Sequence, residues 1–252
     1  MEKSVKRIIS VFVFIALLVL WYLLSTIVNN SLFIPTPLET IQMWITMAKG
    51  DLVWHIVASF KRITIAVFLA GAIAIPLGLM IAKVTAINYV LNPMINFLRY
   101  IPITAFSPLL MLFIGIGEDM KILLIFIAVF LQYLPIVIHE FEDVDKRVLE
   151  TATTMGFSDV RSIWYVVIPY TTPELLRNFI SLYGVGWTYV IIAEVTNANW
   201  GLGHLMYIGS ARGNTKMVFA ALITIIAINI LFDKIGKWII KKKFAWRYRE
   251  DE

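Results

Sequence analysis

Long apolar stretches separated by short polar segments set the pattern of this chain. The first, 8–28, runs for 21 residues without a charged side chain, long enough for a helix to cross a hydrocarbon core about 30 Å thick. Others lie at 63–82, about 89–114, 122–138, about 175–195 and 217 to about 240, which makes six. Each must be helical, because an open sheet edge in lipid would leave backbone groups unpaired. The expected fold class is an all-α integral membrane protein with six transmembrane helices, organised as a single domain, 1–252. No internal repeat or low-complexity linker divides it.

Composition agrees. Hydrophobic residues make up 60% of the chain and charged residues 15%, with a mean hydropathy of +0.80, outside the ordinary soluble range. The first stretch follows Lys3, Lys6 and Arg7. A cleaved signal peptide is the competing reading, but the apolar run is too long and no small-x-small cleavage site follows, so a retained anchor helix is expected. Basic residues cluster there and in the tail, Lys241, Lys242, Lys243, Arg247 and Arg249. With six spans the positive-inside rule puts both termini and the loop bearing Lys146, Arg147 and Arg161 in the cytoplasm. Lys61 and Arg62 fall on the outer side, where they are expected to snorkel to the interface. The tail and the sequence pI near 9.3 raise nucleic acid or anionic lipid as a ligand. A stop-transfer anchor explains the tail better, since Phe244, Trp246 and Tyr248 suit an aromatic belt, and no nucleic-acid partner is expected.

The polar segments differ in what they offer. In 29–51, Thr36 followed by Pro37 is expected to start a short outer helix with Ile41, Trp44, Ile45 and Ala48 on one face. Within the second stretch, Ala66, Ala70, Ala74, Gly78 and Ala82 recur every fourth position, a close-packing ridge for a neighbouring helix. Pro76, Pro102, Pro108 and Pro135 interrupt the spans and free backbone carbonyls. Such kinks hint at a translocation path, and packing kinks are an equal reading. Glu194 stands out inside an apolar stretch, next to the run from Gly184 through Gly186 to Trp187, whose indole can line a pore. It is either a pathway group or close enough to the outer interface to reach water. Asp233 is expected to pair locally with Lys234 or Lys237.

Between the fourth and fifth stretches lies 139–172, with Glu150, Thr151, Ala152, Gly156 and then Val166, Val167, Ile168 and Pro169. A helix from about 143 to 155 can end where Gly156 supplies backbone freedom. A second short helix can begin at Ser158 as N-cap, with Asp159 at its positive end, and stop at Pro169. The product is an elbow expected to carry Ala152, Met155, Ile163 and Trp164 on a protruding surface. From these residues alone it is either a coupling element for a soluble partner or an ordinary amphipathic loop.

The spacing of Glu150, Ala152, Gly156 and Pro169 resembles the EAA loop of the permeases of bacterial ATP-driven (ABC) importers, with Thr151, Val166 and Ile168 as mild departures from it. The resemblance extends along Pro35 to Pro37, Ser59 to Arg62, Ile75 to Gly78, Arg99 to Pro102 with Pro108, Gly115 to Gly117, Gly186 and Trp187, Ala193 and Glu194, and Gly201 to Gly203. Together these look like the nitrate, sulfonate, taurine and bicarbonate branch with its MetI-like type I fold. The resemblance implies a bacterial inner-membrane importer subunit, paired with a second copy. ATPase subunits would dock on Glu150, Thr151, Ala152, Met155, Gly156, Ile163, Trp164 and Pro169, and would hold the ATP and Mg that this chain does not bind. It places a path for a small anion or polar organic solute near Arg99, Pro102, Pro108, Trp187 and Glu194. It also places an external substrate-binding protein against Trp200, Gly201 and Gly203.

Catalysis finds no support. His55, His139 and His204 are scattered without metal-ligand spacing, no Gly-x4-Gly-Lys-Ser/Thr phosphate loop occurs, and the chain has no cysteine. A proton- or sodium-coupled secondary transporter with Glu194 as titrating group is the alternative, and it predicts inverted repeats that the sequence lacks.

Overall fold

The computed structural model describes residues 2–28, 30, 32–98, 100–195 and 198–247, and these residues contain helices and turns without strands. In chain order they are α1 (Glu2–Val28), α2 (Pro37–Lys49), α3 (Leu52–Lys83), α4 (Thr85–Leu98), a 3-10 turn (Ile103–Ala105), α5 (Phe106–Ile114), α6 (Glu118–Glu142), α7 (Lys146–Thr154), α8 (Asp159–Ser162), a π-turn (Ile163–Val167), α9 (Ile168–Val195), α10 (Leu202–Ala211) and α11 (Thr215–Lys243). Five helical segments are long and apolar enough to cross a membrane, and a sixth crossing is made if α4 and Ile103–Ile114, bent by 77°, count as one. The expected third span is thus a broken one. Pro102 precedes the 3-10 turn, and Pro108 lies in the first turn of α5, where no helical bond is lost, so neither kinks a continuous helix. Pro76 and Pro135 do lie inside α3 and α6, as do Pro93 in α4 and Pro173 in α9.

The described residues form two compact units. One takes 1–59 and 197–226. Here α2 begins with a capping box in which Thr36 and Glu39 satisfy each other's backbone N–H groups. Glu39 also binds Lys216 at 2.6 Å. That ion pair and Thr36 hold its carboxyl well below the ordinary 4.5, at about 2. Trp44 donates from its indole to Thr224, so α2 is pinned along α11 at its first turn and at its middle. α1 is attached through Trp21, which stacks on Phe219 and donates to the carbonyl of Pro35.

The other unit takes 60–196 and 227–252. Its core is α6 packed between α3 and α9. The small-residue ridge lies where close packing needs it: Ala66, Ala70 and Ala74 are fully buried, and a Cβ added at Gly78 would fall 2.6 Å from Val137 Cγ1. Gly71 is filled in the same way by Phe179, and Gly186 by Ile63. Phe179 and Tyr183 extend this contact into an aromatic cluster with Phe232. Asp233 pairs with Lys237 at 2.7 Å, one turn along α11.

Candidate functional site

The elbow is built by a helix end. Asp145 caps α7 through the Arg147 N–H. α7 stops at Thr154 because Gly156 takes φ +80°, a conformation costly for residues with a Cβ. Phe157 N–H then returns to Ala152 C=O and Gly156 N–H to Thr153 C=O, both at 3.0 Å, which satisfies two of the last carbonyls. Ser158 stands at the next N-cap in extended backbone, but its hydroxyl makes no capping bond.

The second arm departs from expectation. It does not stop at Pro169. α8, the π-turn and α9 form one helical run from Asp159 to Val195. Pro169 lacks the N–H that an α-helix would direct to residue 165, and its ring would press on that carbonyl. The π-turn just before it, closed by Ile168 N–H to Ile163 C=O, widens the helix and relieves the conflict. A force on the elbow therefore enters α9 directly.

Exposure separates the candidate docking residues. Met155 and Trp164 are exposed, as are Glu150 and Thr151, and Ile163 is half-buried. Ala152 is buried and packs inside the unit, so it is not on the protruding surface. Val160 and Tyr165, absent from the sequence reading, are also exposed and complete an apolar patch with Met155 and Trp164. Charged Arg147, Asp159 and Arg161 in the same loop are exposed as well.

The expected path residues fare differently. Arg99 lies outside the described residues. Trp187 is 2% exposed, enclosed by this chain's own helices. Glu194 is 0% exposed. It does not reach water: Arg62 Nη1 donates to its Oε1 at 2.7 Å. Arg62 is itself buried, so it does not snorkel; its Nε and Nη2 bind the two oxygens of Glu118 at 2.6 and 2.8 Å. Lys121, also buried, reaches the same carboxylate at 3.0 Å. Two cations and two anions thus form a neutral cluster that ties α3, α6 and α9 together. The sequence alone had Arg62 snorkelling to the interface and Glu194 as a pathway or interface group, and assigned nothing to Glu118 or Lys121. Their balance of two against two was the available signal.

In the other unit, the 200–203 loop is fastened rather than displayed. Gly201 takes φ +146°, which requires glycine. Its N–H donates to His55 Nδ1 at 3.0 Å, and Leu202 N–H donates to Ser59 Oγ at 2.8 Å. Gly201 and Gly203 are buried, and only Trp200 is exposed. The glycines thus let the loop approach α3 closely and do not form an outer contact surface. No group of three or more His, Cys, Asp or Glu that could hold a metal occurs among the described residues.

Comparison with known proteins gives this architecture a context. The taurine transport system permease protein TauC of Escherichia coli (strain K12) is 29% identical over 236 residues, covering 91% of this chain and 86% of its own. A putative ABC transporter permease protein of Methanocaldococcus jannaschii is 31% identical over 235 residues, covering 91% and 88%. Among solved structures, an inward-facing form of the MetNI methionine ABC transporter superposes with a TM-score of 0.67 at 17% identity, over 76% of this chain and 95% of that one, so the fold is that of an ABC importer permease. Residues 74–244 match the family described as binding-protein-dependent transport system inner membrane component. With the spanning helices and the elbow between α6 and α9, that match makes this chain a multi-pass membrane protein belonging to that family of transport permeases.

Proposed function

We propose that the whole chain, 1–252, acts as one permease domain of an ATP-driven importer for a small anion or polar organic solute of the taurine or sulfonate type. Two copies form the path between them, ATPase subunits dock on the elbow within 139–172, and an external binding protein delivers solute. Both termini and the elbow lie in the cytoplasm. The relatives named for taurine transport and, at 25% identity, for aliphatic sulfonates in Bacillus subtilis (strain 168) support the solute class. The family leaves the ion-coupled alternative without support.

One observation carries the coupling role. Met155, Val160, Trp164 and Tyr165 are 64–72% exposed on a polar loop, and an apolar patch among charged residues marks a protein contact. Ala152 supports that patch from below, Glu150 and Thr151 border it, and the Gly156 turn and the π-turn before Pro169 set its angle. ATP binding closes the ATPases and, through the elbow, turns the path outward; hydrolysis returns it.

The test is a pull-down of the tagged chain from detergent-solubilised native membranes, comparing wild type with Trp164→Glu and with a Glu150→Ala/Gly156→Val double variant. Recovery of an ATPase subunit with wild type and its loss with both variants is expected. A wild-type chain recovered alone, with uptake in vesicles driven by an ion gradient, would overturn the proposal.

A further inference from the structure

α4 carries three amides at intervals of four, Asn88, Asn92 and Asn96, which places them on one stripe. Asn96 Nδ2 donates to Asn92 Oδ1 at 3.2 Å and Asn92 Nδ2 to Asn88 Oδ1 at 3.3 Å. Asn88 Nδ2 donates in turn to the carboxylate of Glu142, the last residue of α6. The ladder is therefore anchored at one end of α6 and climbs about 12 Å along α4. With Tyr89 and Pro93 it forms one open face of α4. Other sides of α4 are apolar: Ile95 is buried against the unit, and Val90, Met94 and Phe97 are exposed.

Position gives the stripe its meaning. α3 ends at Lys83 and α4 starts at Thr85, so in the topology proposed above the ladder begins at the cytoplasmic boundary and rises to hydrocarbon depth. Each amide has two N–H donors and an oxygen with two lone pairs. The ladder uses one donor of each, and the second has no protein partner among the described residues. Such groups against lipid tails would be left unpaired at a cost that membrane proteins avoid by turning them to water or to protein. Neutral amides also suit a charged solute in transit. They donate to an oxyanion and accept from an ammonium, but hold neither as an ion pair would, and passage requires sites weak enough to leave.

We infer that Asn88, Asn92 and Asn96 line the cytoplasmic part of the solute path and hydrogen-bond a small solute with an oxyanion head, such as a sulfonate. This rests on the importer reading above.

A chain without cysteine allows a direct test. Single cysteines are placed at Asn88, Asn92 and Asn96 and, as controls, at Val90, Met94 and Phe97, in the assembled transporter in inside-out vesicles. A charged thiol reagent is added from the cytoplasmic side, with and without methanesulfonate, and ATP-driven taurine movement is followed in parallel. Cysteines on the stripe are expected to react about tenfold faster than the controls, water-facing against lipid-facing, and methanesulfonate is expected to slow the reaction at position 92. Equal reactivity on both faces, or a stripe that is inert and instead cross-links to the second copy, would overturn the inference. If wild type shows ATP-driven transport while the stripe is inert, this inference fails alone. A reactive stripe in a chain with no ATP-driven transport of any sulfonate overturns the importer reading and the solute assignment with it.

Discussion

Replacing Glu194 with leucine takes one charge out of the cluster of four. Before the change Arg62 and Lys121 are balanced by Glu118 and Glu194; afterwards one net positive charge remains where Arg62 is 5% and Lys121 3% exposed. Removing one partner of a buried ion pair costs about 3–5 kcal/mol. The lower end, about 3 kcal/mol, applies here, because Arg62 keeps both bonds to Glu118, and that carboxylate, 56% exposed, stays hydrated. Arg62→Leu is worse, since it strands a fully buried carboxylate, and the upper end, about 5 kcal/mol, is expected. The double variant Arg62→Leu/Glu194→Leu behaves differently. It leaves Lys121 and Glu118 paired and the cluster neutral, with two apolar side chains in place of the pair, a replacement that is often close to neutral. With single losses of about 3 and about 5 kcal/mol and a near-neutral double variant, the two should fail to add by several kcal/mol. Melting of the purified permease in detergent reads this out: a fall of about 6–12 °C for Glu194→Leu, more for Arg62→Leu, and recovery to within a few degrees in the double variant. A double variant that falls by the sum, or Glu194→Leu melting with wild type, would refute the reasoning. If Glu194→Gln abolished transport with melting unchanged, Glu194 would belong to the path after all.

Three further outcomes are expected. Gly156→Val forces a β-branched residue to φ +80°; open space around the position leaves backbone strain as the only penalty, about 1–2 kcal/mol, and ATP hydrolysis should continue while solute uptake falls. Gly78→Leu drives a side chain into Val137, which a Cβ alone would approach to 2.6 Å; overpacking of about 1–3 kcal/mol should lower the melting temperature, whereas Gly184→Ala, which meets nothing within 4 Å, should not. Glu39 titrates at about 2 instead of 4.5 because Lys216 and then Thr36 stabilise its charged form; a depressed carboxylate contributes stability that is present above 4.5 and disappears as the pH falls towards 2. Wild type should melt above Glu39→Gln at pH 6, and the gap should close between pH 4.5 and 2.

How much the sequence disclosed depends on the range of the interaction. The apolar stretches, the Thr36–Pro37 helix start, the four-residue ridge of α3 and the Gly156 helix end are local patterns, set by residues one to four positions apart, and each could be read directly. Glu194 could not. Its partner Arg62 is 132 positions away, so a one-dimensional reading left it to choose between water and a path and did not see the ion pair that keeps it from water. The buried Gly201 and Gly203 failed for the same reason, since their neighbours His55 and Ser59 come from a distant helix. Pro169 was misread locally. Its usual effect is to end a helix, and the chain instead inserts a π-turn ahead of it. The amide ladder of α4 was visible as a spacing of four, but it lay at the start of a span read for its prolines and for Arg99.

That π-turn also decides how the elbow is aimed. From Asp159 to Val195 the helix is continuous, and Glu194 at its far end is held to α3 by Arg62. A push on the elbow can therefore tilt or rotate α9 but cannot be absorbed by a loop. The irregular segment next to the elbow is Ile163–Val167, which holds close to one more residue per turn than an α-helix. Pro169→Ala, which restores the missing N–H, should convert the segment to regular α-helix with no residue removed. Each of its five residues then turns by about 100° instead of about 80°, so everything before it rotates by roughly 90° around the axis of α9. The patch of Met155, Val160 and Trp164 would keep its composition and lose its direction. Loss of ATPase co-purification is expected from a chain that still inserts and still melts like wild type. Undiminished co-purification and uptake would mean that the elbow docks without a fixed orientation, and that the π-turn does no more than accommodate the proline.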